Sequence, residues 1–169
     1  MRIASIRKLD ISNGEGLGVS CFFAGCFLHC YNCFNSELWD FNAGELYTQE
    51  HEDKIIELLK PNYIVRLSIL GGEPLIERNY EPLCKLIKRV HETYGTSKKI
   101  WLYTGQLFEN VKQKYPDVVN NVDVLVDGPY IDEKRNYCLK WCGSENQRVI
   151  DIEDTLLNDC HVKLHKDKQ

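Results

Sequence analysis

Three cysteines, Cys26, Cys30 and Cys33, lie within eight residues of one another, at spacings of four and three. Thiolates are soft ligands that bind zinc or iron–sulfur clusters, so these three can converge on one metal centre. A closed tetrahedral zinc site and a fully ligated four-iron cluster each need four ligands. The predicted centre therefore either recruits a fourth ligand or keeps one position open.

A fourth ligand for zinc is available in the same part of the chain. His29 or Cys21 can complete a tetrahedral structural site, because spacing alone does not select the metal. A plant-type ferredoxin cluster fits less well, since it has CxxxxCxxC spacing and the gap after Cys26 is three residues. We expect Cys21 to be a buried small side chain and His29 to lie on the surface. A zinc-stabilised binding module without catalysis stays open as an alternative.

A second group of potential ligands lies towards the carboxyl end. Cys138, Cys142, Cys160 and His161 offer the three thiols and one imidazole of a tetrahedral zinc site. No two of these cysteines have CxxC spacing, and buried cysteine commonly behaves as a small apolar residue. We therefore expect separate free thiols here.

Composition indicates one domain and gives no sign of nucleic-acid or membrane binding. The chain has 169 residues and a formal net charge of −4, with 25 acidic and 21 basic side chains. No basic block precedes the short stretch 163–168, and no apolar run is long enough to span a membrane. We expect a single domain over residues 1–160 and a polar carboxyl-terminal tail over 161–169.

The amino terminus predicts a cytoplasmic location. Residues 2–5 follow Met1 without the apolar core of a signal peptide. Thiols stay reduced in the cytoplasm, so the eight cysteines are expected to be metal ligands, redox groups or core residues rather than disulfides.

Strand and helix patterns alternate along the chain. Predicted strands, rich in β-branched and aromatic residues, cover 2–11, 19–24, 63–70, 99–104, 122–126 and 148–152. Predicted helices, with apolar residues at helical spacing, cover 48–59, 79–94, 106–115 and 153–158. Thr48 is the expected cap of the first helix, and Gly95 the stop of the second.

This alternation predicts an α/β fold with a mostly parallel sheet and helices outside it. A complete eight-unit barrel takes about 250 residues, so the chain length predicts a partial (βα) barrel. Loops after the carboxyl ends of the strands gather on one face in such folds. We expect the cysteine loop, Gly71-Gly72-Glu73-Pro74 and Thr104-Gly105 to meet there. Asp127 is expected to form a turn at a strand end, with a cation or substrate site as the alternative.

The spacing CxxxCxxC after the first barrel strand, followed by Gly71-Gly72-Glu73-Pro74 after the next, resembles the radical S-adenosylmethionine enzymes. This resemblance implies that the three cysteines bind a 4Fe-4S cluster whose fourth iron is chelated by S-adenosyl-L-methionine. It also implies that the backbone at Gly71 and Gly72 binds the amino group of that cofactor, while Glu73 holds the loop.

Four further stretches resemble a narrower group, the activating proteins of anaerobic ribonucleoside-triphosphate reductase. Within roughly residues 1 to 152 they are Asn13-Gly14-Glu15-Gly16, Cys33-Phe34-Asn35 with Trp39-Asp40-Phe41, Val122 to Tyr130, and Gly143 to Arg148. The resemblance assigns adenine contacts to Asn32, Cys33 and Phe34. We expect Asn146, Gln147 and Arg148 to reach the cofactor carboxylate or ribose, with closure of the barrel edge as the alternative role. The Arg148 guanidinium suits bidentate binding of a carboxylate. Many radical S-adenosylmethionine enzymes have an aromatic residue where Asn32 stands.

The function implied by this resemblance is that of an oxidoreductase which cleaves S-adenosylmethionine reductively to methionine and a 5′-deoxyadenosyl radical. The radical would abstract a hydrogen from a glycine of the large subunit of anaerobic ribonucleoside-triphosphate reductase, with a one-electron reductant such as flavodoxin as second partner. No catalytic acid or base is expected, since positioning carries the reaction. Activases of pyruvate formate-lyase or another glycyl-radical enzyme, and a small enzyme acting on a deazapurine precursor, are alternatives.

Overall fold

The computed structural model describes residues 1–165, and within them one eight-stranded sheet forms the centre of the fold. Its strands are β1 (Arg2–Asp10), β2 (Gly18–Phe23), β3 (Glu45–Leu46), β4 (Arg66–Gly71), β5 (Lys99–Tyr103), β6 (Val124–Asp127), β7 (Arg148–Asp151) and β8 (Lys163–Leu164). They lie side by side in the order β3-β1-β2-β4-β5-β6-β7-β8. Over the described residues the sheet is open, with the two short strands β3 and β8 at its edges.

The four central strands, β2, β4, β5 and β6, run parallel to one another. On either side the pairing is antiparallel, between β1 and both of its neighbours and between β7 and both of its neighbours. Every residue of β2 and all but the last residue of β4 are buried, as expected for strands covered on both faces. The parallel centre brings the carboxyl ends of four strands to one edge of the sheet.

Helices pack against one face of this sheet. The α-helices among residues 1–165 are α1 (Gln49–Leu59), α2 (Glu77–Tyr94), α3 (Phe108–Lys114), α4 (Pro116–Val119) and α5 (Ile152–Leu157). Their apolar residues form the main core with alternate strand residues such as Leu67 and Leu102. Thr48 and His51 form a capping box at the start of α1, and α2 ends at Gly95 with φ of +57°.

Loops cover the other face. Because successive strand side chains alternate between faces, Phe22 and Leu70 lie here and pack with Leu38 of a short 3-10 helix at Ser36–Leu38. Trp101 packs on the same face with Trp141, which belongs to the segment between β6 and β7. Irregular segments leave room for a pocket that packed helices would fill.

The predicted α/β fold is confirmed, with a parallel centre and helices against it. The antiparallel flanks were not predicted, and β3 and β8 were missed because two-residue strands carry no alternation. The helix predicted over 106–115 is confirmed as the shorter α3, and α4, which begins at Pro116 just beyond that range, was not predicted. Proline can start a helix but cannot continue one, so the two helices are separate. The partial barrel stays a prediction, because the described sheet has two open edges.

Two further observations concern the ends and the surface of the chain. Across residues 1–165, no helix combines the length and the apolar character needed to span a membrane. The beginning of the predicted tail adds β8 to β7, with Leu164 opposite Ile150. Its end, residues 166–169, lies outside the described residues.

Candidate functional site

The loops that follow β2, β4, β5 and β6 enclose one cavity of about 560 Å³. Its lining includes Cys26, Cys30, Cys33, Phe34, Gly71, Gly72, Thr104, Gly105, Gly128 and Tyr130. The predicted meeting of the cysteine loop, the glycine turn at Gly71-Gly72 and Thr104-Gly105 is confirmed. A cavity of this size falls within the range of small-molecule and cofactor sites.

The cysteine loop, residues 24–35, is held against the 3-10 helix that follows it. The backbone N–H of Gly25 donates to the Leu38 carbonyl at 2.8 Å, and that of Cys26 donates to the Trp39 carbonyl at 3.1 Å. These hydrogen bonds fix the start of the loop next to the end of β2. The first of the three thiols is therefore placed by backbone contacts.

Two residues between the cysteines adopt left-handed backbone conformations. His29 and Asn32 have φ of +47° and +55°, which reverse the chain twice within a few residues. The exposed His29 ring stacks on Trp39 with centroids 4.7 Å apart, and Asn32 Nδ2 donates to Asp132 Oδ2 at 2.9 Å. Both residues shape the loop, and neither lines the cavity.

The three thiols differ in exposure, since Cys26 is buried and Cys30 and Cys33 are half-buried. Burial raises the pKa of the Cys26 and Cys30 thiols above the usual value. Metal ligation replaces the thiol proton, so binding of a metal group by these cysteines would release protons. Among the described residues, no three His, Cys, Asp or Glu side chains are arranged around a single metal ion. Three thiols spread along one cavity wall are a donor set that fits a cluster, in which each thiolate ligates a different iron.

The glycine turn after β4 packs directly on the cysteine loop. A Cβ atom at Gly71, where φ is +129°, would lie 2.2 Å from the Phe23 carbonyl oxygen, and one at Gly72 would lie 2.6 Å from that of Gly25. The N–H groups of Gly72 and Glu73 donate to these same two carbonyls at 2.8 Å. Only glycine permits this approach, which leaves the turn at the cavity wall.

Known proteins of similar sequence show the family of this chain. The family described as "4Fe-4S single cluster domain" matches residues 12–150. The anaerobic ribonucleoside-triphosphate reductase-activating protein of Vibrio cholerae is 39% identical over 143 residues, which is 83% of this chain and 92% of the relative. Proteins of the same name from Salmonella typhi and Enterobacteria phage T4 are 38% and 35% identical, and the alignments cover 88% of this chain and 97% and 93% of the relatives. The chain belongs to this family of activating proteins.

Membership of the family bears directly on the metal. The region that matches the 4Fe-4S domain includes the cysteine loop and the glycine turn. It supports an iron–sulfur cluster as the metal group of this activating-protein family member, so the zinc-stabilised module loses its support.

Glu73 lies directly behind the glycine turn and is fully buried. Its Oε1 accepts hydrogen bonds from the Leu75 N–H at 3.0 Å and the Thr104 hydroxyl at 2.8 Å, and its Oε2 accepts from the Gly105 N–H at 2.9 Å. Burial raises the pKa of Glu73 to about 7, against the lowering effect of these hydrogen bonds. The carboxyl group thus ties the loop after β4 to the loop after β5.

Replacing Glu73 by Gln is expected to destabilise the protein by about 1–3 kcal/mol. The new amide NH₂ must face either the Gly105 N–H or the Leu75 N–H, and two donors cannot bond. Because the folded pKa of about 7 exceeds the ordinary 4.5, the wild-type group contributes most stability below pH 4.5 and loses it as the pH rises through 7. Urea unfolding at about pH 5 and about pH 8 should show the larger deficit at the lower pH. Equal stability of both proteins at both values would contradict this arrangement.

Asp127 and Arg148 form an ion pair at the end of β6. Asp127 is fully buried; its Oδ2 accepts from the Phe108 N–H at 2.7 Å, and its Oδ1 accepts from Arg148 Nε at 2.9 Å. Arg148 also donates to both carboxylate oxygens of Glu109, at 3.1 and 3.0 Å. Hydrogen bonds to Asp127 and then Glu109 raise the pKa of Arg148 above its usual value. Arg148 does not line the cavity, and its predicted contact with a cofactor stays a prediction.

The other predicted cofactor contacts occupy two positions. Phe34 lines the cavity and meets Tyr130 edge-on, with ring centroids 6.3 Å apart. Asn146 lies outside the lining; its Nδ2 donates to the Pro129 carbonyl at 2.7 Å, while its buried Oδ1 has no hydrogen-bond partner among the described residues. In the described part of the chain, Asn146 Oδ1 is therefore a hydrogen-bond acceptor without a donor, in a side chain next to Gly128.

The remaining cysteines belong to no group of three His, Cys, Asp or Glu side chains that could hold a metal ion among the described residues. Cys142 packs with the loop-covered face and lines the site cavity, whereas Cys160 packs against the main core and accepts a hydrogen bond from Lys112 Nζ. Cys138 is exposed. Cys21 is fully buried, as predicted, and burial raises the pKa of its thiol.

Sequence reasoning missed the ion pair that supports the glycine-rich loop, residues 11–17 between β1 and β2. Arg66, fully buried at the start of β4, donates from Nη2 to Asp10 Oδ1 at 3.0 Å and to the Asp10 carbonyl at 2.7 Å. Asp10 Oδ1 also accepts from the N–H groups of Ser12 and Asn13, which line the cavity. The sequence did contain a sign of this ion pair. An arginine at the start of a mostly apolar strand that is expected to be buried needs a partner for its charge.

Proposed function

We propose that this chain activates an anaerobic ribonucleoside-triphosphate reductase by generating a glycyl radical on it, with a 4Fe-4S cluster and S-adenosylmethionine as cofactors. The observation that carries the proposal is the meeting of three thiols and the Gly71-Gly72 turn at one cavity of about 560 Å³. The names of the relatives support the partner, and the matching domain supports the cluster.

The ligands proposed for the cluster are Cys26, Cys30 and Cys33. Three thiolates leave one iron of a four-iron cluster without a protein ligand, and that position suits a cofactor. When bound, the cluster and S-adenosylmethionine together supply the electron and the 5′-deoxyadenosyl radical that no protein side chain supplies.

Residues around the thiols are suited to orient the cofactor. The backbone at Gly71 and Gly72, free of Cβ atoms, can approach its amino group closely. Phe34 offers an aromatic surface for the adenine beside Cys33, and Asn32 holds the same loop through Asp132. A carboxylate or ribose contact of Asn146 rests on the sequence alone, since its side chain is bound to the Pro129 carbonyl outside the cavity lining.

The cavity walls are suited to exclude water from a reactive radical. Trp39, Tyr103 and Trp141 line it, and the Tyr103 hydroxyl is buried without a hydrogen-bond partner in residues 1–165. Exposed Phe27 and Tyr31 lie on the cysteine loop. This open side suits entry of a glycine-bearing loop of the reductase, and a partial barrel remains the proposed shape. A one-electron reductant such as flavodoxin and a cytoplasmic location complete the proposal.

Electron paramagnetic resonance tests this function. Protein reconstituted anaerobically should hold about four irons and four sulfides per chain. After reduction, addition of S-adenosylmethionine and the reductase should yield a glycyl-radical signal on the reductase and one 5′-deoxyadenosine per radical. A colourless protein with zinc would contradict the cluster. A signal on pyruvate formate-lyase but none on the reductase would contradict the partner.

A further inference from the structure

Arg7 is the only lysine or arginine among the described residues that line the cavity. It lies on β1, where its Cα pairs with that of Ser20, and its guanidinium carbon lies 4.5 Å from the centroid of the Phe22 ring. A guanidinium stacked on an aromatic ring keeps the N–H donors at its rim available. Packing therefore holds a cation at the cavity wall.

Within the described part of the chain, no carboxylate group pairs with the Arg7 guanidinium. Among residues 1–165 no carboxylate oxygen lies within 4.0 Å of its nitrogens, whereas the guanidinium groups of Arg66 and Arg148 are both paired with carboxylates. Glu37 is the one acidic residue described in the lining, and it forms no ion pair with Arg7. A guanidinium left unpaired at a cavity wall favours an anionic ligand in that cavity.

The Cα of Arg7 lies opposite Ser20, but its side chain reaches the Phe22 ring and so brings the guanidinium towards the glycine turn. Phe22, whose ring packs against this guanidinium, pairs with Leu70 in the sheet. Gly71 and Gly72 follow Leu70 directly. The amino and carboxylate groups of an α-amino acid share one carbon atom. A ligand whose amino group binds the glycine turn therefore presents its carboxylate to this end of the cavity.

We propose that Arg7 binds the carboxylate of the methionine part of S-adenosylmethionine, an inference that rests on the proposed function. Arg148, the residue to which the sequence assigned this contact, is bound to two carboxylates outside the cavity lining. Arg7, in contrast, lines the cavity with a positive charge, and its N–H donors are not paired with any carboxylate among residues 1–165. It is a binding residue that orients the cofactor.

The assignment is tested by measuring how two ligands bind to the wild type and to Arg7→Met. Equilibrium dialysis of the reconstituted protein would compare S-adenosylmethionine with its decarboxylated form, for the wild type and for Arg7→Met. The variant is expected to bind S-adenosylmethionine roughly ten- to a hundredfold more weakly, as for a lost charged hydrogen bond. Its affinity for the decarboxylated form should be unchanged, because that ligand has no carboxylate to lose. Arg7→Lys should recover part of the affinity.

Lys8→Met is the matched control, since Lys8 is an exposed cation next in sequence that does not line the cavity. It should bind both ligands as the wild type does. A second readout is the electron paramagnetic resonance signal of the reduced cluster, whose shift on addition of S-adenosylmethionine should need a higher ligand concentration in Arg7→Met. Iron content and thermal unfolding of each variant would show that cluster and fold are retained.

Two results would overturn the assignment of Arg7 alone. One is an equal loss of affinity for both ligands, which would mean that Arg7 does not contact the carboxylate. The other is unchanged affinity for S-adenosylmethionine with weaker binding of the reductase, which would assign Arg7 to an anionic group of the partner. Wild-type protein that carries the cluster and binds no S-adenosylmethionine would overturn the proposed function together with this inference.

Discussion

Cys30→Ala is expected to abolish cluster binding and the formation of 5′-deoxyadenosine while leaving most of the fold in place. Cys30 lies in the middle of the cysteine loop and is half-buried at the cavity wall. It is not part of the main core. With two thiols left, the cluster loses an iron ligand. The effect should exceed the ~10–100-fold cost of losing an outer-shell partner of a metal site.

Iron and sulfide content, absorbance and 5′-deoxyadenosine yield would measure the loss after anaerobic reconstitution. Cys138→Ala is the matched control, because it removes one thiol that is exposed and lies outside the cavity lining. The control should retain about four irons per chain. If Cys30→Ala still formed 5′-deoxyadenosine at the wild-type rate, the ligand assignment would be wrong.

Arg66→Met is expected to lower the free energy of unfolding by about 3–5 kcal/mol. Arg66 is fully buried and Asp10 is 5% exposed, so removal of the guanidinium leaves a buried carboxylate without its partner. Asp10 also holds Ser12 and Asn13 at the cavity, and the glycine-rich loop should therefore become less ordered. Urea unfolding of the cluster-free protein at neutral pH would measure the change.

The pH dependence of this deficit identifies its cause. Burial alone would raise the pKa of Asp10, but hydrogen bonds from Arg66 and Asn13 hold that pKa below the ordinary 3.8. The pair therefore stabilises the wild type above pH 3.8, and this stability is lost as the pH falls through the folded pKa. The difference between wild type and variant should narrow in acid. A deficit independent of pH would indicate lost packing instead of an unpaired charge.

A surface pair provides the comparison for this variant. Lys60 and Glu57 are exposed at the end of α1, and Lys60 Nζ lies 3.6 Å from Glu57 Oε1. Lys60→Met should leave stability nearly unchanged, since solvent screens such pairs. If Lys60→Met and Arg66→Met lowered the free energy of unfolding by similar amounts, the larger stabilising effect assigned to the buried pair would be wrong.

Local patterns in the sequence were sufficient for much of the site. The spacing of Cys26, Cys30 and Cys33 is a property of eight consecutive residues, and strand periodicity placed that loop and the Gly71-Gly72 turn at the ends of neighbouring strands. In a parallel sheet those ends share one edge, so their convergence at one cavity followed from the alternation of strands and helices.

Contacts between residues distant in sequence could not be predicted in this way. Glu73 lies behind the turn it follows because Thr104 and Gly105, about thirty residues later, supply hydrogen-bond donors to a carboxyl group that burial holds at a raised pKa. The antiparallel flanks likewise depend on pairings of β1 and β7 with strands that the local pattern does not specify.

The two arginines show the difference most directly. By residue type, Arg7 and Arg148 are equivalent cations, and a local motif favoured Arg148 as the carboxylate-binding residue. In the folded chain Asp127 and Glu109 pair with Arg148, whereas Phe22 holds Arg7 unpaired at the cavity. Residue type and spacing determined that the cysteine loop offers soft ligands for zinc or an iron–sulfur cluster. Tertiary structure decided which charges remain free to take part, because pairing depends on distances in space.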